Sequence, residues 1–130
     1  MRKITLRPAV PGEEARWLFW DHHLPRERFR ELTETGRALW ICGGEEKAGL
    51  LRWGYFWDEI PFLNLIWLHE SCRGEGAGRA AMALWEDSLR KAGCRAAMTS
   101  TQADEEAQHF YRKLGYRDTG SLILTLPGFE

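Results

Sequence analysis

Between positions 73 and 79 the chain reads Arg73-Gly74-Glu75-Gly76-Ala77-Gly78-Arg79, with an apolar run at residues 62–68 before it and a helical repeat after it. A strand, a glycine-rich turn and a helix start form a device for holding phosphate. The first turn of a helix has backbone N–H groups without partners, and the peptide dipoles add about half a positive charge there. Gly74, Gly76 and Gly78 let an anion approach that backbone, and Arg73 and Arg79 offer charge-assisted contacts from either side. The ligand this suggests is a pyrophosphate. Gly76-x-Gly78-x-x-Ala81 also satisfies the loose dinucleotide-binding pattern, although only about fifty residues follow, too few for the further βαβ units such a domain needs. The loop lacks the Gly-Lys-Ser/Thr of a P-loop. A glycine-rich turn with no ligand, leading into a core helix, is the plainer alternative.

Two acids, Asp58 and Glu59, immediately precede the apolar run, and a tyrosine, Tyr111, lies within a later helical stretch. A carboxylate at the start of a central strand can take a proton from a bound group directly or through water. Solvation at the surface is its plainer fate. His22, His23 and His69 have no acidic or cysteine partner at ligand spacing, so no metal is expected. Cys42, Cys72 and Cys94 are odd in number and lack a C-x-x-C spacing, which fits a reducing compartment better than a disulfide framework.

The elements that must position these residues follow from periodicity and turn chemistry. Ile4, Leu6 and Pro8 suit a short strand, and Pro11 and Gly12 open a helix expected to run to about His23. Phe29 and Leu32 share one face of a second helix stopped by Gly36. Residues 38–42 and 48–57 form a hairpin across a glycine-rich turn, and residues 62–68 form a strand expected to be central and buried on both faces. In the helix over 79–91, Ala81, Leu84, Trp85, Ser88 and Leu89 recur at helical spacing. A strand at 94–100, a helix from Asp104 to Leu114 and two closing strands, around Tyr116 and over 121–126, complete the order βααβββαβαββ. The fold expected is α/β, a mixed central sheet flanked by helices, in one domain over residues 1–130.

Composition narrows the partners. Eighteen basic against nineteen acidic residues leave no global field for nucleic acid or an anionic membrane, and no apolar stretch approaches a membrane span. The N-terminus has no signal-like apolar run, so a cytoplasmic protein is expected. Seven tryptophans leave a homodimer open. Trp20, Tyr55 and Trp57 are candidates for contact with an aromatic or cationic ligand.

Two segments together resemble the GNAT superfamily of N-acyltransferases. Residues 68–78, from Leu68 through Arg73 to Gly78, are similar to its pyrophosphate signature, Arg/Gln-x-x-Gly-x-Gly/Ala after a strand. About thirty-five residues on, Ala107-Gln108-His109-Phe110-Tyr111, followed by Gly115-Tyr116, resembles its downstream helix motif. The resemblance covers most of the chain from Ala48 onward, while the first 45 residues match in arrangement only. It departs at Glu70, where many members have proline, and at Asp104, where an asparagine that helps hold coenzyme A often stands. There Asp104 reads better as a helix N-cap.

The resemblance implies a fold, a co-substrate and an activity: transfer of an acetyl or other small acyl group from acyl-coenzyme A to a primary amine, directly in a ternary complex. The acceptor would be a small molecule or a peptide. It places the loop residues Arg73, Gly74, Glu75, Gly76, Ala77, Gly78 and Arg79 at the cofactor, with Asp104 a further candidate contact. It puts a backbone N–H near Leu68 at the thioester carbonyl, and makes Tyr111 the acid that quenches the departing thiolate. Glu59 and Asp58 fall in the region from which the family often supplies its base. A non-catalytic module that binds acyl-coenzyme A is the rival reading.

Overall fold

The computed structural model describes residues 3–101 and 106–120. These fall into two compact units, divided after Ser100. In the first unit the elements are β1 (Ile4–Pro8), α1 (Glu14–Trp20), α2 (Arg26–Glu34), β2 (Ala38–Gly43), β3 (Glu46–Phe56), β4 (Ile60–Leu68), a 3-10 turn (Glu70–Cys72), α3 (Ala77–Lys91) and β5 (Met98–Thr99). The second unit holds α4 (Ala107–Lys113). Strand order follows the chain, β1-β2-β3-β4-β5, and each pairing is antiparallel except the last, which is parallel.

The sheet sorts its side chains by pleat. Ala38, Trp40, Cys42 and Leu50 face α1 and α2, where Trp17, Leu24, Phe29 and Leu32 close a core, joined at its edge by Trp20, Leu65 and Trp67. Trp17 meets the Trp40 ring edge-on at 4.9 Å, an arrangement that places the positive edge of one ring over the negative face of the other. Ile41 and Leu51, one step along the pleat, turn to the opposite face. There α3 packs on β1 and β4, and Trp85 meets Trp53 at 5.9 Å.

Glu13, just before α1, ties the N-terminal elements together. Its carboxylate accepts from the Val10 N–H at 2.9 Å, the Trp40 indole at 3.0 Å and Arg7 at 3.2 Å, with Lys47 3.7 Å away. Burial opposes ionisation, yet these donors outweigh it and hold the carboxyl at about 2. At the other end of α1, buried Asp21 accepts from the Trp17 indole at 3.0 Å and from Arg52 of β3 at 2.7 Å.

Several expectations are corrected. The first helix ends at Trp20 because Asp21 turns inward to Arg52. The helix after the glycine loop begins at Ala77, and its buried stripe takes in Met82, whereas Leu84 and Ser88 are exposed. β4 is half-buried along most of its length, with Asn64 exposed, so it is less enclosed than its apolar composition suggests. The strand expected over 94–100 pairs only at Met98 and Thr99. Around Tyr116 the backbone is irregular. The strand placed over 121–126, and Asp104, lie outside the described residues.

Candidate functional site

The geometry of the site begins with one extra residue in β4. Arg52 pairs with Leu65 and the next β3 residue, Trp53, pairs with Leu63, leaving Asn64 without a partner in the register. This is a β-bulge, which bends its strand and sharpens the local twist. Asn64 is also where β4 parts from β5, since the two pair only at Phe62–Met98 and Leu63–Thr99, where the Thr99 hydroxyl donates to the Leu63 carbonyl at 3.1 Å. Among the described residues, the β5-side edge of β4 beyond Leu63 has no strand partner.

Which backbone groups face that open edge follows from one hydrogen bond. The His69 N–H donates to the Ala48 carbonyl of β3 at 2.8 Å. Successive residues of a strand point their N–H and C=O groups in opposite directions, so those of Leu68 and Ile66 turn to the open side. The Leu68 carbonyl there accepts from Arg73 Nε at 2.9 Å. Arg73 therefore folds back on β4, its guanidinium 5.9 Å from the Trp67 ring centroid, and braces the loop.

Between β4 and α3, His69 caps the 3-10 turn by accepting the Ser71 N–H at 3.2 Å, with the Ser71 hydroxyl 2.8 Å from the same ring nitrogen. Gly74 and Gly76 then take φ of +81° and +83°. A Cβ at either would meet nothing within 4 Å, so the backbone conformation, and not crowding by the protein, calls for glycine there. Gly76 is the N-cap of α3 and supplies no side-chain cap. The helix ladder starts with the Ala80 N–H on the Gly76 carbonyl, which leaves the N–H groups of Ala77, Gly78 and Arg79 directed out of a fifteen-residue helix. Ala77 and Gly78 are buried, whereas Glu75 and Arg79 are exposed. These features fit a pyrophosphate: donors with no acceptor among the described residues, a favourable dipole and glycine backbone that an anion can approach.

Leu68, Arg73, Gly74, Glu75, Gly76, Ala77, Gly78 and Arg79 are thus contiguous at one end of β4. Asp58 and Glu59 lie at the other, both exposed, on the turn between β3 and β4. Nine residues at about 3.3 Å each put roughly 30 Å between the two ends. Trp57 and Asp58 adopt positive φ, 52° and 61°, as the two central residues of a tight turn closed by the Glu59 N–H on the Phe56 carbonyl. Trp57 and Tyr55 are exposed, whereas Trp20 is packed among Trp40, Trp67 and His69. In the second unit, Tyr111 is half-buried on α4, its ring 5.2 Å from Phe110 and 5.7 Å from Tyr116. Its carbonyl accepts the Tyr116 N–H at 3.1 Å, so the Gly115-Tyr116 pair closes the helix.

Sequence reading missed the groups around the bulge: the Asp21–Arg52 pair, and the cluster of Arg37, Gly54 and Asn64. One signal was present, the single amide interrupting Phe62-Leu63-Asn64-Leu65. The pairing of Asp21 with Arg52, thirty-one positions apart, leaves no local trace.

Residues 8–116 match the model of a family described as the Acetyltransferase (GNAT) family. No curated protein matches the chain significantly. Among solved structures, Ard1 from Thermoplasma volcanium is similar with a TM-score of 0.75 and 16% identity, over 90% of this chain and 84% of that one. The aminoglycoside antibiotic 6'-N-acetyltransferase AAC(6')-IG from Acinetobacter haemolyticus gives 0.72 and 16%, over 97% and 99%. AAC(6')-Iy in complex with CoA gives 0.70 and 17%, over 99% and 97%. At these identities the likeness is one of fold.

Proposed function

The chain belongs to the acetyltransferase (GNAT) family and is an acyltransferase, and we propose that it moves an acetyl or other small acyl group from acyl-coenzyme A to a primary amine by direct transfer in a ternary complex. The observation that carries this reading is the continuity of an open β4 edge, a positive-φ glycine loop and an uncapped helix start within residues 64–79. A dinucleotide domain is a poorer match, because among the described residues only one strand pair is parallel. The family match runs across both compact units, which supports reading them as one acyltransferase domain.

Bound acyl-coenzyme A supplies the activated thioester. The N–H groups of Ala77, Gly78 and Arg79 hold its pyrophosphate, and Arg73 keeps the loop against β4. The N–H groups of Ile66 and Leu68 are the donors available to a developing oxyanion, a role that falls to backbone and not to a side chain. Tyr111 delivers a proton to the departing sulfur. A phenol near pKa 10 is a weak acid toward a thiolate near 8.5, so its contribution is modest. Asp58 and Glu59 are candidates for the base; standing at the far end of β4 from these donors, they would relay the proton through a chain of waters.

Calorimetric titration of the purified chain with acetyl-coenzyme A, with NAD and ATP as controls, tests the reading. The expected result is selective micromolar binding that weakens at least tenfold when Arg73→Met and Gly76→Val are combined. Turnover of a primary amine should then fall about ten- to a hundredfold in Tyr111→Phe, with the acetyl-coenzyme A affinity within about twofold. Tight NAD or ATP binding with none of acetyl-coenzyme A would overturn the proposal. Binding with no thiol release from any amine would leave only a non-catalytic module.

A further inference from the structure

The bulge that opens β4 also assembles a small polar niche. Gly54 lies two residues beyond Arg52 on β3 and so shares the face on which Arg52 reaches Asp21 and α1. A Cβ added at Gly54 would lie 3.2 Å from Arg37 Nη1 and 3.2 Å from Asn64 Oδ1. Glycine at 54 lets the guanidinium nitrogen and the amide oxygen both settle onto the β3 backbone, so the two lie close together over it. Leu65, the residue after Asn64, packs against the α1/α2 core, so the niche lies at the exposed margin of that core, where β4 parts from β5.

The charge of the niche is unbalanced. Arg37 gives Nη1 to the Trp53 carbonyl at 3.3 Å and Nε to the Thr35 hydroxyl at 2.9 Å, and its guanidinium lies 5.9 Å from the Tyr55 ring centroid. No carboxylate among the described residues pairs with it. Arg52, one register step away, is already matched by Asp21, through contacts at 2.7 and 3.4 Å. Asp58 and Glu59 are the nearest other acids along the strand, and they stand on the turn, five or six residues from Asn64, roughly 15–20 Å off. The net charge at the niche is that of Arg37.

Resting on the acyltransfer reading above, we infer that Arg37 and Asn64 select the acceptor, which is an amine carrying a carboxylate on a neighbouring carbon, such as a small amino acid. The carboxylate accepts from Arg37 Nη2, the guanidinium nitrogen with no acceptor among the described residues, while the Asn64 amide oxygen accepts an N–H of the amine. Because both protein groups lie close together over Gly54, the anion and the amine must be close together in the ligand. Arg37 disfavours a second ammonium, so a polycationic acceptor is a poor match. In the reaction the amine nitrogen bonds to the thioester carbon, the carbon–sulfur bond breaks, and the sulfur leaves as a thiolate. The amine gives up one proton and the thiolate takes one up, so no other reactant is needed.

The test is thiol release from acetyl-coenzyme A by the full chain, using a panel of amino acids, their methyl esters, the corresponding decarboxylated amines and an aminoglycoside. The expected result is a kcat/KM at least tenfold higher for an amino acid than for its ester or decarboxylated amine, with the ratio falling to within about threefold in Arg37→Met. Gly54→Ala, whose Cβ presses on both groups and displaces them, should raise the KM for the amino acid, with thermal melts reporting that both variants fold. Equal or better turnover of the aminoglycoside or of the esters, or a ratio unmoved by Arg37→Met, overturns the inference and leaves acyl transfer standing. Failure of acetyl-coenzyme A to bind the wild-type chain overturns the acyltransfer reading itself, and this inference with it.

Discussion

At Glu13, a carboxylate with 17% of its side chain exposed accepts from a backbone N–H, an indole and a guanidinium drawn from three different segments. A folded-state value of about 2, below the ordinary 4.5, means that the charged form is held more tightly in the native chain than in the unfolded one. The stabilisation is complete above about pH 4.5 and fades as pH falls toward 2. Glu13→Ala strands the Val10 N–H and the Trp40 indole, so urea unfolding at pH 7 should show a loss of about 1–3 kcal/mol. That gap between variant and wild type should narrow as the measurement is taken from pH 5 to pH 2. Nothing in the sequence distinguishes Glu13 from its neighbour Glu14, since both read as acids at a helix start. The difference arises from β1, β2 and β3 arriving around one of them.

Among the elements, β3 and β4 fit together through a glycine. A Cβ at Gly49 would overlap the Trp67 carbonyl oxygen and sit 2.9 Å from the Leu68 Cα. These are backbone atoms of the strand that ends at the glycine loop, so they yield less easily than the tip of a side chain. Gly49→Ala should cost about 1–3 kcal/mol or more in denaturant unfolding and also weaken acetyl-coenzyme A binding, because the strand carrying Leu68 is displaced. Much of this layer was legible in the sequence. The order of elements from β1 to α4 follows from turn glycines and prolines and from the switch between a period of two and one of 3.6, and the glycine loop was located at Gly74 and Gly76. The bulge was not legible: period-two alternation is uninformative in an all-apolar run, so a one-residue slip at Asn64 leaves little mark on it. Adjacency to the strand singles out Asp58 and Glu59 in the sequence, but no such signal marks Arg37, Gly54 and Asn64, which meet at the bulge from different strands and connections.

For the molecule as a whole, the family match across residues 8–116 spans the boundary between the two compact units. If one acyltransferase domain is present, calorimetric melting should give a single transition. Acetyl-coenzyme A at a hundred times its Kd should add about 2.7 kcal/mol and raise that transition by roughly 5–15 °C. Two transitions, with only one moved by the ligand, would show instead that the units melt independently. The bulge at Asn64 has a bearing at this scale too. It acts as a phase shift within one strand: above it, Leu65 and Trp67 are locked to the core under α1 and α2, and below it the side chains keep time with the hairpin tip. Losing that single residue would turn every side chain on one half of β4 to the wrong face, whereas exchanging residues below it disturbs no register above. Mutation can therefore vary residues 60–63, next to the proposed acceptor contact at Asn64, while the end that leads into the glycine loop stays fixed.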